Sequence, residues 1–238
     1  MRIGLALLTY NEIEGLTALY DRIRFELVDE RLAVDGGSTD GTLPFLRARE
    51  LPLHVQLAHK GRGEAFRIAF EQTTADALIF FSPDGNEDPA DLSRFRPLLE
   101  AGHDMVVASR MMPGAHNEED ELHLRWRKWG NQAFNRMANA TWNRKPPYIT
   151  DTINGYRAIT RAAWQRMQLD GEGYLIEYQS TIRAFKLGLD IAEFPTFEGP
   201  RLGGESYARS IPTGLRFLQG YLRELLIGRR FSGPDRGA

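Results

Sequence analysis

Through its first hundred residues the chain alternates short apolar runs with amphipathic stretches. Residues 2–8, 32–34, 53–57, 77–81 and 105–108 read as strands. Runs such as ALIFF and MVVA carry no polar alternation, as expected of strands covered on both faces. Between them, 12–25, 42–49 and 63–72 have the helical period; in the last, Ala65, Phe66, Ala69 and Phe70 share a face. Pro89 stands at a favourable position to open another helix. Repeating strand–helix units predict an α/β fold with a mostly parallel sheet flanked by helices. Ligands of such sheets bind beyond the carboxyl ends of the strands. Strands ending at Leu8, Val34, Phe81 and Ala108 would send their following loops to one crevice.

After Arg110 the pattern changes. Residues 113–121 form a polar stretch ending in four acids, Glu118 to Glu121, expected as a solvated, mobile loop. A helix over 123–141, a strand over 152–159, a helix over 175–187 and a strand over 189–194 follow. A glycine-rich loop spans 199–206, and a terminal helix spans 215–227. Leu215, Leu218, Leu222, Leu225 and Leu226 share one face of that helix, with Arg216, Arg223 and Arg230 on its flank. Such a helix can lie on anionic lipid, pack on its own domain or pair with a second subunit in a homodimer. No repeat and no linker divides the chain.

Composition narrows the classes. The 238 residues are 42% apolar with a net charge of −2, so no overall basic field argues for nucleic acid. Cysteine is absent, which excludes disulfides and thiolate metal sites and fits a reducing compartment. Five histidines form no HExxH pair, which argues against zinc. No run of 18 apolar residues is present, and the N-terminus reads as a first strand rather than a signal peptide. A cytoplasmic protein is expected.

Chemistry concentrates at the strand ends. In SPDGNED, Asp84, Asn86 and Asp88 fall at i, i+2 and i+4 after a strand. Their oxygens suit a hard divalent cation, Mg2+ or Mn2+. The same residues also make a turn, with Asp88 capping the helix at Pro89. In DGGSTDGT the glycines permit close backbone approach, and Asp35 can bond a base edge or ribose hydroxyl; a capped strand–helix turn is the other reading. HKGRGEAF places Lys60 and Arg62 at a helix start, where an anion can bind. It is neither a dinucleotide fingerprint nor a Walker loop. Arg125, Arg127, Lys128, Arg136, Arg144 and Lys145 cluster with Trp126, Trp129 and Trp142. That mixture suits a membrane interface or an anionic acceptor, or else an amphipathic helix with solvated arginines.

TYNE, VDGGSTDGT, KGRGEAF, SPDGN and VVASR, in this order and spacing, resemble family 2 glycosyltransferases of the GT-A fold. DTINGYRAI and the stretch 173–206, with its R-x-x-GES ending, resemble the dolichyl-phosphate and polyprenyl-phosphate mannosyltransferase-like branch. The resemblance implies one GT-A domain over 1–238: a nucleotide-sugar half, 1–110, an acceptor half, 111–210, and a C-terminal helix and tail, 211–238. Thr9, Tyr10, Glu12 and Asp35 would hold base and ribose, Lys60 would border the nucleotide, and Arg110 would lie near phosphates or sugar. Asp84 and Asn86 match the D-x-D motif, with Asp88 the third position facing the metal. Arg127 and Arg201 are carried over as acceptor-phosphate residues, and Asp151 and Glu177 as base candidates. The implied activity is inverting transfer from a nucleotide-diphosphate sugar, assisted by a divalent metal. The acceptor is a polyprenyl phosphate or a saccharide hydroxyl, with peripheral contact at the inner face of a membrane. Two positions depart from the pattern: Gly36 and Asn86 each stand where a carboxylate is usual. They also motivate the alternative of a nucleotide-sugar binding protein without turnover.

Overall fold

The structure, a computed structural model, describes residues 1–57, 60–121, 124–203 and 210–229. His59, His123, the last three residues of R-x-x-GES, Arg230 and the tail lie outside the described residues.

The chain runs β1 (Ile3–Thr9), α1 (Ile13–Leu19), β2 (Glu30–Asp35), α2 (Thr42–Ala48), β3 (Leu53–Val55), α3 (Arg62–Glu71), β4 (Ala77–Phe81), α4 (Leu92–Glu100), β5 (Met105–Ser109), α5 (Trp126–Trp142), β6 (Arg157–Thr160), α6 (Arg161–Met167), α7 (Leu175–Leu187), β7 (Ile191–Pro195) and α8 (Ser210–Ile227). The strands form one sheet in the order β3-β2-β1-β4-β6-β5-β7. All neighbours are parallel except β6, which runs antiparallel to both β4 and β5.

Each central strand feeds two cores. Ile3, Leu5 and Leu7 of β1, with Ala77, Ile79 and Phe81 of β4, meet α1, α2 and α4 on one face. Ala6, Leu8, Leu78 and Phe80 point the other way, toward α3, α5, α6 and α7. Phe66 and Phe80 stack at 3.6 Å between ring centroids, pinning α3 to the sheet. This two-sided burial explains the missing alternation in the sequence.

Several elements differ from the sequence expectation. The first helix stops at Leu19 and continues as two 3-10 turns, Tyr20–Arg22 and Phe25–Leu27. The strand expected over 152–159 shrinks to β6, because the backbone ahead of it turns around Asp151 and Asn154. Helix α6 follows β6 without a loop, capped by the Thr160 hydroxyl. The acidic run is not merely solvated: Glu119 is buried and accepts from the Lys128 amide in the first turn of α5. Its neighbour Glu118 pairs with Arg127 at 2.8 Å. The acids thus satisfy free N–H groups and the dipole at the start of α5.

Helix α8 is held by buried charge. Glu224, 1% exposed, accepts from Gln179, Arg183 and Lys186 of α7. Phe217 packs inward on Phe134 and Tyr178, while Leu215, Leu218, Leu222, Leu225 and Leu226 remain exposed.

Candidate active site

The loops after β1 and β2 are locked together at the rim of the sheet. Asp35, fully buried, accepts from the Thr9 and Ser38 hydroxyls and from the Gly37 and Ser38 amides, all within 2.8 Å. The Asn11 amide donates to Ser38 Oγ, and the Glu12 amide to Thr42 Oγ1 at 3.0 Å. Asp35 therefore shapes this loop and does not line the cavity beside it, contrary to its expected contact with base or ribose. Thr9, Tyr10, Glu12, Gly36 and Lys60 do line that cavity, about 500 Å³ in volume, together with Gln56 and Arg62. The Lys60 ammonium lies over Gly37, where a methyl group would meet it at 2.8 Å; Gly37 also has a positive φ of 89°. The Lys60 side chain could shift to make room, but the positive φ strains any residue with a Cβ at this position.

The turn after β4 carries Asp84. Glu87 folds back to accept from the Ser82 amide at 2.7 Å, and Gly85 takes a positive φ of 102°. Asp84 Oδ1 accepts from the Asn86 amide at 3.0 Å. The Asn86 side-chain amide donates away from Asp84, to the Gly199 carbonyl at 2.8 Å. Asp88 does not join them: its carboxylate caps Ala90 at 3.0 Å and lies 3.6 Å from Arg22. Of the expected trio, Asp84 and Asn86 line a second cavity and Asp88 does not, so one carboxylate and one amide remain there. Among the described residues no three His, Asp or Glu side chains converge on a common metal position.

A guanidinium already occupies the place of a cation. Arg201 bonds Asp84 Oδ2 at 2.9 Å through one nitrogen and Glu12 through the other. Its segment is strapped across the turn, with the Leu202 amide donating to the Asp84 carbonyl at 2.8 Å and the Gly199 amide to the Asn86 carbonyl at 3.2 Å. Burial raises Glu12 to about 7, against the pull of Arg201. Burial also raises Asp84, more strongly than Arg201 lowers it. Two buried carboxylates converging on one guanidinium form a donor set that fits a hard cation.

The second cavity, about 420 Å³, opens on the other side of Asp84. Arg62, Ser82, Asp84, Tyr174 and Arg201 line both cavities and form the wall between them. Arg62 pairs with Glu177 and donates to Ser82 Oγ at 2.7 Å. Arg110 and Arg127 line the second cavity with Glu118 and Glu198, and its outer part is walled by Trp126 and Phe134 of α5 and Phe217 of α8. Arg110 is gripped by Asp151 at 2.8 Å and Glu198 at 2.9 Å.

The two base candidates thereby separate. Asp151 is fully buried behind Arg110, accepts from the Arg110 and Asn154 amides, and is absent from the cavity wall. Burial raises its carboxyl, but Arg110 outweighs this and holds it below the usual range. It is a brace for Arg110 and is not placed to take a proton from an acceptor. Nor does it pair with Arg157, whose buried guanidinium instead donates to the Glu177 carbonyl and the Ser180 and Thr181 hydroxyls. Glu177 does line the cavity and is buried, not a surface charge. Ser82, Tyr174 and Glu198 had no role assigned from the sequence, although Ser82 stands two residues before Asp84 and the other two lie within the stretch 173–206.

The Glycosyl transferase family 2 profile matches residues 5–162, which include every strand of the first cavity and the Asp84 turn. This chain belongs to glycosyl transferase family 2. Among curated relatives, Glycosyltransferase AglJ of Haloferax volcanii is 31% identical over 206 residues, 82% of this chain and 62% of that protein. The chain therefore spans under two thirds of AglJ. The undecaprenyl-phosphate mannosyltransferase of Micrococcus luteus is 31% identical over 219 residues, 85% of this chain and 86% of that one. Among solved structures, glucosyl-3-phosphoglycerate synthase from Mycobacterium tuberculosis, in complex with Mn2+, UDP-glucose and phosphoglyceric acid, superposes with a TM-score of 0.73 at 21% identity. The match covers 99% of this chain and 82% of that one. The likeness establishes the GT-A fold for this member of the family.

Proposed function

We propose that this chain transfers a sugar from a nucleotide-diphosphate sugar to a lipid phosphate of the polyprenyl class, with inversion at the anomeric carbon. The observation that carries the reading is the shared wall: two cavities meet at Asp84, at the carboxyl end of a parallel strand. The cavity lined by Thr9, Tyr10, Glu12 and Lys60 takes the nucleotide, and the cavity lined by Arg110 and Arg127 takes the acceptor. Asp84 would hold a divalent cation, with Glu12 facing the same position. When bound, that cation supplies positive charge at the departing diphosphate.

In the transfer, an acceptor phosphate oxygen forms the bond to the anomeric carbon. The bond from that carbon to the diphosphate oxygen breaks, and the nucleoside diphosphate leaves with the electron pair. A phosphate monoester is already an anion, so this nucleophile needs no general base. It needs fixed cations, and Arg62, Arg110, Arg127 and Arg201 line its cavity. That Asp151 is tied behind Arg110 favours this acceptor over a saccharide hydroxyl. The named activity of the Micrococcus relative supports the same reading. Among the described residues no helix is long and apolar enough to cross a membrane. The exposed leucine face of α8 supports peripheral contact with the lipid surface that carries the acceptor.

The test is transfer of radiolabelled sugar from UDP-, GDP-, CDP- and dTDP-hexoses into undecaprenyl phosphate in vesicles, with Mn2+ or with chelator. One donor should label the lipid in a metal-dependent way. Asp84→Asn should lower that rate at least about 100-fold while leaving the melting temperature nearly unchanged. If no donor shifts melting or labels lipid, or if Asp84→Asn unfolds the protein, the assignment fails.

A further inference from the structure

Residues 143–151, between α5 and β6, form neither helix nor strand. The amides of Thr150 and Asp151 donate to one side chain, Glu193 of the edge strand β7. Glu193 Oε2 accepts from the Thr150 amide at 2.7 Å and the Thr150 hydroxyl at 3.0 Å, and Oε1 from the Asp151 amide at 2.9 Å. Asn135 of α5 holds the far side, its Oδ1 accepting from the Thr152 amide and hydroxyl. Glu193 itself lines neither cavity. Burial raises it to about 7, and the Asp151 charge adds to the rise. A carboxylate held by N–H and O–H donors alone is costly to bury. It is also the one side-chain group that offers two acceptor oxygens and no donor, as a pair of adjacent amides requires.

The grip ends at an acceptor-side cation. The same Asp151 whose amide Glu193 holds takes Arg110 through both carboxylate oxygens, at 2.8 and 3.1 Å. Ser109 Oγ meets Thr150 Oγ1 at 2.7 Å and accepts from the Met111 amide at 3.1 Å, so the backbone on both sides of Arg110 is tied to the same segment. Arg110 reaches on to Glu198 at 2.9 Å. Glu198 Oε2 accepts from the Asn117 side chain at 2.6 Å and the Glu118 amide at 3.1 Å, and Glu118 pairs with Arg127. The row from Glu193 to Arg127 is unbroken.

We propose that Glu193 is a positioning residue: by fixing the Thr150 and Asp151 amides it sets the angle at which Asp151 presents Arg110 to an anionic acceptor. The inference rests on the reading of the second cavity as the site of a lipid phosphate. A guanidinium bonds phosphate through a planar fork, so its grip depends on angle as well as charge. An arginine whose brace is loose keeps the charge and loses the angle.

The experiment measures binding at pH 8, with Glu193 mostly ionised, in the presence of Mn2+ and the nucleoside diphosphate that the protein binds. The probes are geranyl phosphate and, as the uncharged control, geraniol. Wild-type protein should prefer the phosphate by at least about 100-fold. Glu193→Gln offers one acceptor oxygen and turns an N–H toward the other amide, so phosphate affinity should fall about tenfold. Affinities for geraniol and for the nucleoside diphosphate should stay as they were, which a general loosening of the fold would not allow. In an Arg110→Gln background the same change should cost less than about twofold, because the group it acts through is gone. Equal phosphate affinity in wild type and Glu193→Gln overturns the inference, and so do fully additive losses in the double variant. Should Glu193→Gln also lose the nucleotide, Ser109→Ala decides, since it removes one link of the same row. Its phosphate affinity must then fall by at least about threefold, and an unchanged value overturns the inference. Wild-type protein that binds the nucleotide but does not distinguish phosphate from alcohol would instead sink the lipid-phosphate reading itself.

Discussion

Arg201 is the residue on which the proposed metal site turns. Its guanidinium bridges Asp84 and Glu12, so a divalent ion must displace it or share both carboxylates with it. Arg201→Ala should therefore bind Mn2+ alone about tenfold more tightly near pH 7.5, since the competing positive charge is gone. Electron paramagnetic resonance of free Mn2+ reads this directly. Unchanged or weaker Mn2+ binding would mean that Arg201 assists the metal. Asn86 belongs to the same device: its amide donates to the Gly199 carbonyl and helps hold the strap that carries Arg201. The motif made Asp84 legible in sequence. It could not reveal the partner, because Arg201 lies 117 residues away and Arg62 lies 115 residues from Glu177. No local pattern carries contacts of that range.

Among the elements, α8 has the most unusual division of faces. Glu224 and Phe217 face inward, and five leucines face outward, with Leu226 at 88% exposure. Arg216 and Arg223 flank the leucines, and Arg223 also pairs with Asp170. A stripe of this kind loses its solvent exposure on an anionic bilayer, with the basic flank meeting headgroups. Cosedimentation with vesicles of phosphatidylglycerol should retain the wild-type protein and release a Leu218→Glu, Leu222→Glu double variant, with at least a tenfold loss of partitioning. A double variant that binds equally well, or a wild-type protein that dimerises and ignores vesicles, would assign the stripe to protein contact. The leucine period was plain in sequence; which way it faced was not, because that depends on where Glu224 finds its three donors on α7. The same reason hid α6. Its seven residues follow β6 directly, and a short helix without a flanking loop leaves too few turns for a period to register. The first helix was over-extended for the opposite reason: its apolar spacing continues through residues that adopt 3-10 turns.

For the molecule as a whole, buried carboxylates set the response to pH. Burial pushes Glu12 and Glu193 up to about 7 and raises Glu87 well above its usual range. A carboxyl raised in the folded state contributes stability that is complete below its unfolded value near 4.5. That contribution is lost as pH climbs through 7, when the buried group must ionise. Unliganded protein should thus have a higher denaturant midpoint at pH 5 than at pH 7.5. Glu193→Gln should narrow that difference, by up to about 3 kcal/mol at about 1.4 kcal/mol per pKa unit. Chemical denaturation at the two pH values measures it, and equal midpoints in the wild-type protein would refute the assignment. At this scale the sequence was most informative. Strands covered on both faces announce themselves by unbroken apolar runs, so the parallel core and its ligand-binding rim could be read directly. The reversed direction of β6 could not, since Arg157–Thr160 is apolar or paired like any other strand.

That reversal has a consequence of its own. Because β6 runs against β4 and β5, the excursion from Arg110 to Tyr156 departs from and returns to one end of the sheet. The two attachment points of the stretch are therefore neighbours, while Ala138, Ile149 and Tyr156 anchor it in the cores on both faces of the sheet. On the proposed assignment of the second cavity to the acceptor, exchanging the stretch together with those buried residues between relatives would change what receives the sugar and leave the register of β1–β4 intact.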